Sequence, residues 1–421
     1  MSYEDFKTIV LSKKNVFLTG QAGSGKSTNL SRLMIEERQL HIDITSTTGV
    51  SAVNIGGRTI HSFSGIGVIN NGYSIEEIVK KVKKIKNKKE GGNAVKNILE
   101  CSILVIDEIS MLSLFYFETL DQVFKIIRKN EKPFGGIQVI FTGDMLQLPP
   151  IDGEYCFKSK IWKSLNLQIV YLQTLYRFTD VGYSEMLGRI RTASHTPEDN
   201  VELFKRFLAY KNTDLDTLKI QPTFLYSKKI DVFEKNYTEL EKCSNPMIEI
   251  TAIDSIPFGL NKIEENTLNL MAPKILHLKI CAQVMLTVNT DVESGLCNGS
   301  RGVVLEYEEK QSILKIEFSG GRHESFCMHL FEHKENDKVI STRKQFPFIL
   351  AYSLSIHKIQ GCTLDCAVVN INASIFEASQ AYIALSRVKS RDSLYIQSYK
   401  PNKIFCDPEA LQFYQDLNQK N

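Results

Sequence analysis

The sequence predicts an α/β protein with two parallel-sheet domains, the second interrupted by a small β-barrel. Between Asn15 and about Gln173, short apolar runs (VFLTG, ILVIDEIS, VIFTGD) alternate with longer stretches of helical spacing, the pattern of a parallel sheet covered by helices. Between about Asp291 and Gln345 the texture changes to short strands (GVVLEYEE, SILKIEFSG, HESFCMHLF) joined by glycine and charged turns. The α/β character then returns with FPFILAYSLS and AVVNIN, so the strand-rich stretch reads as an insertion within the second domain. A chain of 421 residues also exceeds what one hydrophobic core usually serves. The expected boundaries are 1–173 for the first domain, 174–290 with 346–421 for the second, and 291–345 for the inserted barrel.

Composition narrows the class. The net charge of +3 neither demands nor excludes a polyanionic partner, so the distribution of charge must decide. Its densest cationic stretch is IVKKVKKIKNKK, Ile78 to Lys89, where isoleucine and valine recur at helical spacing among lysines. This predicts an amphipathic helix followed by a loop, within a lysine-rich insert over about 64–100 whose position suits a wedge. The lysines read equally as a solvated face or as a phosphate-contacting surface. Nine cysteines lie scattered without CxxC pairs, and the closest two, Cys362 and Cys366, lack a second pair for zinc or an iron–sulfur cluster. With no signal-peptide segment at MSYEDFKTIV and no apolar run long enough to cross a bilayer, the expectation is a soluble intracellular protein, cytoplasmic or nuclear, with no membrane partner.

The first domain carries nucleotide chemistry. GQAGSGKST, Gly20 to Thr28, follows the strand NVFLT and precedes a helix beginning near Lys26. In a GxxxxGK[ST] loop the glycines let backbone N–H groups wrap phosphate oxygens, and the helix N-terminus adds a favourable dipole. Gly20, Gln21, Ala22, Gly23, Ser24, Gly25, Lys26, Ser27 and Thr28 are therefore the expected ATP cradle, with Lys26 on the β- and γ-phosphates and Ser27 on Mg²⁺. ILVIDEISML adds a buried strand with Asp107 and Glu108 at its carboxyl end, where α/β sheets bind ligands. Asp107 suits the metal's water shell, and Glu108 suits the general base that activates water. Alone, this second motif would read as a strand ending in an N-cap aspartate. In VIFTGDMLQLPP, Gln147 sits at a third strand end, and reads either as a sensor of the γ-phosphate or as a solvated turn residue.

A phosphate loop fixes the nucleotide chemistry and leaves its purpose open. The second half offers LAYSLSIHKIQGCTLD, with His357 and Lys358 at a strand end, QAYIALSRVKS, with Arg387, and LQTLYRFTD, with Arg177. An arginine reaching a γ-phosphate from a second lobe would stabilise its charge and couple hydrolysis to closure, whereas the bland reading of any one arginine is a surface salt bridge.

Taken in order, GQAGSGKST, TSTTGVSAVNIGGRTIHSFSGIG, LVIDEISML, FTGDMLQLPP, LQTLYRF, SIHKIQGCTLD and AYIALSRV resemble the motif set of superfamily-one DNA helicases. IIRKNEKPFGGIQ resembles the signature of the petite-integration-frequency helicase family, related to RecD-like and Dda-like enzymes. VMLTVNTDVESGLCNGSRGVV resembles the start of that family's Src-homology-three-like insert, and the motifs together span Gly20 to Ser390. The resemblance implies two RecA-like lobes, ATP and Mg²⁺ as cofactors, and a monomeric motor. It further implies translocation five-prime to three-prime on single-stranded DNA, with unwinding of duplexes, forks, RNA–DNA hybrids and G-quadruplexes in replication, recombination or repair.

By the same resemblance Lys26, Asp107, Glu108 and Gln147 are catalytic, and Arg177 and Arg387 close on the γ-phosphate from the second lobe. Thr47, Gly49, Thr59, His61 and Phe63 would line the single-strand path in the first lobe, with His357 and Lys358 in the second. For Phe63, core packing and base stacking stand as alternatives. Two departures are visible. MSYEDFKTIVLSKKN lacks the upstream glutamine that the family uses for adenine, which leaves triphosphates other than ATP open, and few residues precede the motor, as in a bare motor without a targeting extension. Two other functional classes compete with a helicase: a protein-remodelling ATPase, and a DNA-stimulated ATPase that switches affinity without strand separation.

Overall fold

The computed structural model describes all residues except 1, 68–72, 86–93, 152, 218–220, 256–261, 289, 291–295, 297, 319–320, 336–337 and 420–421. The chain divides into two compact units, Met1–Tyr176 with Glu335–Lys338, and Arg177–Lys334 with Val339–Asn421.

The first unit is built on six strands, β1 (Val16–Gly20), β2 (Ile42–Ser46), β3 (Arg58–Thr59), β4 (Ile103–Asp107), β5 (Gln138–Gly143) and β6 (Gln168–Leu172). They lie in the order β3-β2-β4-β5-β1-β6, and every neighbouring pair is parallel. Strands β1 and β4 are buried at every position, as expected of central strands covered on both faces. One apolar cluster joins Phe6 and Val10 of the helix Tyr3–Leu11 and Leu30 and Leu33 of the helix Lys26–Glu36 to Val16, Leu18, Val105 and Ile140.

A second cluster is aromatic. Phe117 lies with its ring centroid 5.2 Å from Phe134 and 5.6 Å from Phe141, and Trp162 stacks on Phe141 at 5.3 Å and 18°. The PFGG stretch makes this cluster possible. After the helix Leu114–Arg128 the chain turns through Lys129, Phe134 and Gly135, all with positive φ. The Phe134 amide donates to Asp121 Oδ1 at 2.7 Å, which seats the Phe134 ring inside. Arg128 then donates to the carbonyls of Gly135 (2.8 Å), Ile98 (2.6 Å), Leu99 (3.0 Å) and Cys101 (3.2 Å), tying the helix end to the segments that lead into β5 and β4. The family-like signature thus acts as a structural clamp.

The helix Ile75–Ile85 is amphipathic, with Ile78, Val79 and Val82 buried and Lys80, Lys81 and Lys83 exposed; Lys81 Nζ donates to the Ile66 carbonyl at 3.0 Å. The remainder of the expected lysine run, 86–89, and the centre of the 64–100 insert lie outside the described residues.

The second unit contributes β7 (Thr223–Tyr226), β8 (Ile248–Thr251), β9 (Ile253–Ser255), β10 (Ile275–Leu278), β11 (Gln283–Leu286), β12 (Arg301–Glu308) and β13 (Ile313–Phe318). It continues through β14 (Arg322–Cys327), β15 (His329–Glu335), β16 (Lys338–Gln345), β17 (Phe348–Leu350), β18 (Ser353–Ser355), β19 (Ala367–Ile371) and β20 (Leu394–Tyr399). Strands β18-β7-β19-β20 form a parallel sheet in that order.

The antiparallel strands sort into β14-β13-β12-β11-β17, β15-β16-β9 and β10-β8. This region is wider than 291–345. β11 pairs with β12 on one side and with β17 on the other, Val284 facing both Gly302 and Leu350, and β8 to β10 precede it. Fully buried Arg343 of β16 holds Asp254 of β9 through two bonds of 2.7 and 2.8 Å, a fork geometry that fixes one register.

Gly135 tests the clamp. With φ +62, an added Cβ would meet Arg128 Cδ and the Phe124 carbonyl oxygen, each at 2.8 Å. Gly135→Ala should therefore cost about 1–3 kcal/mol, read as a lower urea midpoint at unchanged slope; an unchanged midpoint would contradict the clamp.

Candidate functional site

The carboxyl ends of β1, β4 and β5 meet at one edge of the first sheet, because Thr19 is in register with Gly143 and Ile106 with Phe141. Gly20 to Gly25 loops from β1 into the helix Lys26–Glu36. The helix starts from Gly25 in a left-handed conformation (φ +84), which a side chain would strain. Lys26 Nζ turns back over the loop and donates to the carbonyls of Gly20 at 2.7 Å and Gln21 at 3.0 Å. Ser24 is buried, and its Oγ has no hydrogen-bond partner. A loop with its cation folded inward and helix amides at its head is suited to polyphosphate.

Asp107, at the end of β4, is 4% exposed. Burial pushes its carboxyl up to about 6, although the Glu108 backbone and the charge of Lys26 pull the other way. Glu108 has positive φ (+53), a conformation rare for a non-glycine residue. Thr47 helps hold it there: its Oγ1 donates to the Glu108 carbonyl at 3.0 Å and its amide to the Asp107 carbonyl at 3.2 Å. At Gly143 the β5 backbone runs against Ile109 and Glu108. Gln147 is only 5% exposed, its Nε2 donating to Asp144 Oδ2 at 3.4 Å and its amide to the Asp144 carbonyl at 2.9 Å. A solvated turn residue is therefore excluded, because Gln147 is built into the interior behind this edge.

Of the expected single-strand residues of the first unit, Thr47, Gly49, Thr59 and His61 are half-buried and Phe63 is fully buried. Phe63 is a correction: it is fully buried, edge-on to Phe124 with ring centroids 6.1 Å apart and beneath the Arg58 guanidinium, so its ring is core and cannot stack on a base. The reason is that the helix Ile60–Ser64 turns this face onto the helix Leu114–Arg128. Thr59 caps that short helix, accepting from the Ser62 amide at 3.2 Å. His61 is partly buried against Tyr116, ring centroids 4.5 Å apart, and desolvation lowers its pKa. Gly49 opens the helix Gly49–Asn54.

In the second unit Arg177 and Arg387 come together. Arg177 Nη1 donates to the Ser386 carbonyl at 3.0 Å and Nη2 to the Gly361 carbonyl at 3.1 Å. Arg387, 1% exposed, donates through Nε to the Ile383 carbonyl at 2.8 Å, through Nη1 to the carbonyls of Ile359 and Cys362, and through Nη2 to Ser386 Oγ at 2.7 Å. Desolvation, reinforced by Arg387, brings Arg177 down to about 9, still cationic at neutral pH. Neither is a surface salt bridge, and His357 and Lys358 lie in the segment whose carbonyls hold them.

One residue escaped the sequence reading. The Tyr176 amide donates to the Gly23 carbonyl at 2.8 Å, and its ring, 76% exposed, lies 3.3 Å from where a Cβ on Gly25 would stand. An aromatic directly before Arg177 was the available signal, but nothing local places it across a loop 150 residues earlier.

Among the described residues no group of three or more His, Cys, Asp or Glu side chains could hold a metal by itself. No helix among them is long and apolar enough to cross a membrane.

Comparison with known proteins matches this geometry. Residues 5–190 fit the family model for PIF1-like helicase, and residues 260–307 that for the DNA helicase Pif1 2B domain. The ATP-dependent DNA helicase PIF1 of Danio rerio is 34% identical over 417 residues, covering 98% of this chain and 63% of the relative, so the chain spans somewhat under two thirds of that protein's length. The crystal structure of Pif1 helicase from Candida albicans aligns at 30% identity and TM-score 0.78, covering 99% of both chains. That of Bacteroides sp Pif1 in complex with ADP-AlF4 aligns at 25% identity and TM-score 0.83, covering 100% of this chain and 97% of the other. With these likenesses the parallel sheets of the two units are RecA-like lobes, and the chain belongs to the PIF1-like helicase family.

Proposed function

We propose that this chain is an ATP-driven DNA helicase that moves five-prime to three-prime along single-stranded DNA and separates forked duplexes as a monomer. The observation that carries the reading is the shared sheet edge of the phosphate loop, buried Asp107 and constrained Glu108 in a chain of this family. Polarity, and action on G-quadruplexes or RNA–DNA hybrids, rest on the family resemblance. The antiparallel strands of the second unit are read as the inserted domain, the Src-homology-three-like barrel of the sequence analysis.

In this reading Lys26 leaves the carbonyls of Gly20 and Gln21 for the β- and γ-phosphates, and the amides of Gly23 to Thr28 wrap the remaining oxygens. Tyr176 offers its ring to the base. Stacking of that kind does not discriminate among bases, in keeping with the missing upstream glutamine. The oxygen donors of Ser27 and Asp107 suit Mg²⁺, which would neutralise phosphate charge. Glu108 takes the proton of the attacking water, and Gln147 is the sensor of the γ-phosphate. Arg177 and Arg387 stabilise charge on the transferring phosphoryl group and link hydrolysis to lobe closure.

Glu108→Gln should keep nucleotide affinity within a few-fold and lower turnover by about 10²–10⁴-fold, whereas Lys26→Ala should lose affinity as well. Turnover measured with and without single-stranded oligonucleotide, and strand release from five-prime- and three-prime-tailed forks, test the function. DNA-stimulated turnover with release only from the five-prime tail is expected. Stimulation without release would make the chain an affinity switch, and turnover indifferent to DNA would favour a remodelling ATPase.

Asp107 gives a pH-dependent prediction. Its folded value of about 6 lies above the ordinary 3.8, so between these values the folded state holds a proton that the unfolded chain releases. Stability therefore falls as pH rises through that window, and Asp107→Asn removes the loss. The thermal midpoint of the variant relative to wild type should rise between pH 4 and pH 7; a constant difference would contradict the buried charge.

A further inference from the structure

The general base of the proposed reaction sits on a backbone that its own segment does not fix. Glu108 leaves β4 in the left-handed region (φ 53°, ψ 43°), which a residue with a side chain keeps only where its surroundings hold it there. Its φ depends on the peptide plane before it and its ψ on the plane after it, so fixing the two carbonyls fixes where the carboxylate departs. Both are gripped from the end of β2. Ser46 Oγ donates to the Asp107 carbonyl at 3.3 Å, and the Thr47 amide donates to the same oxygen at 3.2 Å. Thr47 Oγ1 donates to the Glu108 carbonyl at 3.0 Å. The Met111 amide also donates to that carbonyl, at 3.1 Å, but it belongs to the turn itself and moves with it.

The sheet explains why Thr47 reaches this point. Ser46 is in register with Asp107 on one side and with Thr59 on the other, so Thr47 follows the end of β2 just as Glu108 follows the end of β4. On the far side of β4, a Cβ added to Gly143 would stand 3.1 Å from the Ile109 amide nitrogen and 3.6 Å from the Glu108 carbonyl carbon, so β5 walls the turn in. Thr47 is half-buried, and Thr48 Oγ1 beside it accepts from the Ser51 amide at 3.2 Å, which holds the loop onto the helix Gly49–Asn54. The proton of the Thr47 hydroxyl is thus directed inward at Glu108, although the sequence resemblance set this residue on the single-strand path.

We infer that Thr47 is a positioning residue for hydrolysis: through its bond to the Glu108 carbonyl it aims the base at the attacking water, and it acts there rather than as a contact to the strand. This rests on the reading of Glu108 as the general base. A base works only within hydrogen-bond reach of the proton it takes, and a displacement of about 1 Å costs on the order of 10²-fold in rate. Thr47→Val keeps the branched shape and deletes one donor. Its effect therefore falls on the chemical step and spares the binding of ATP and of DNA.

The test is the single-turnover hydrolysis rate of the full chain at saturating ATP and saturating oligothymidylate, with ATP and oligonucleotide affinities measured on the same variants. Thr47→Val should lower the rate about ten- to a hundredfold and leave both affinities within about twofold. Thr47→Ser, which keeps the hydroxyl, should recover the rate to within about threefold of wild type. In a Glu108→Gln background the same Thr47→Val change should lower the residual rate by less than about twofold, because a residue acting through the base then has nothing to aim. An unchanged rate in Thr47→Val would overturn the inference, and weaker oligonucleotide binding beside it would make Thr47 a strand contact. The full loss persisting in the Glu108→Gln background would overturn it as well. Should Thr47→Val fail to fold, Thr47→Ala carries the same comparison with the same expected outcomes. Wild type that hydrolyses no ATP, or Glu108→Gln that keeps wild-type turnover, would instead sink the reading of the site on which the inference rests.

Discussion

The energetic condition on which the functional account depends is the concentration of like charge at Arg177 and Arg387. Two guanidinium groups share one region of the second lobe, held by the carbonyls of Ser386, Gly361, Ile383, Ile359 and Cys362. Carbonyl dipoles orient a guanidinium without neutralising it, and desolvation, with Arg387 adding to it, brings the Arg177 pKa down to about 9. Around this pair the fold is heavily braced. Tyr183 donates to the Leu385 carbonyl at 2.6 Å, and Arg391 grips Asp180 through two bonds, so the chain that follows Arg177 is fixed. Such preorganised positive charge lowers the energy of an anion that arrives later.

The first lobe shows the complementary condition. Asp107 is a carboxylate placed where ionisation is costly, and Lys26 is a cation turned onto its own loop. Both are set at strand ends by the register of β1, β4 and β5, and Thr47 holds Glu108 in a backbone conformation that few residues adopt. Each lobe thus sets ionisable groups where burial works against their charged forms.

The legible parts of this arrangement were those whose requirements are local. A phosphate loop needs glycines, a lysine and a helix start within nine residues, and VIDE at the end of an apolar run needs only the strand that presents it. The obscure parts were set by distant partners. Whether Phe63 stacks on a base or packs in the core depends on Phe124, sixty residues on. The extent of the antiparallel region depends on β11 pairing with β17, which places Val284 against Leu350. Tyr176 is local in sequence to Arg177 but acquires its place from Gly23. Gln147 fell between the two cases: its turn was visible, while its burial followed from the packing of Asp144 and Leu146.

The most direct measurement of the central claim is single-turnover ATP hydrolysis by Arg177→Ala in the presence of single-stranded DNA, set beside nucleotide affinity and the thermal midpoint of the same variant. The account predicts a loss of about 10³-fold or more in the hydrolysis rate, with affinity changed only a few-fold and folding retained. Hydrolysis within a few-fold of wild type by a folded, nucleotide-binding variant would show that the second lobe's charge takes no part in the reaction.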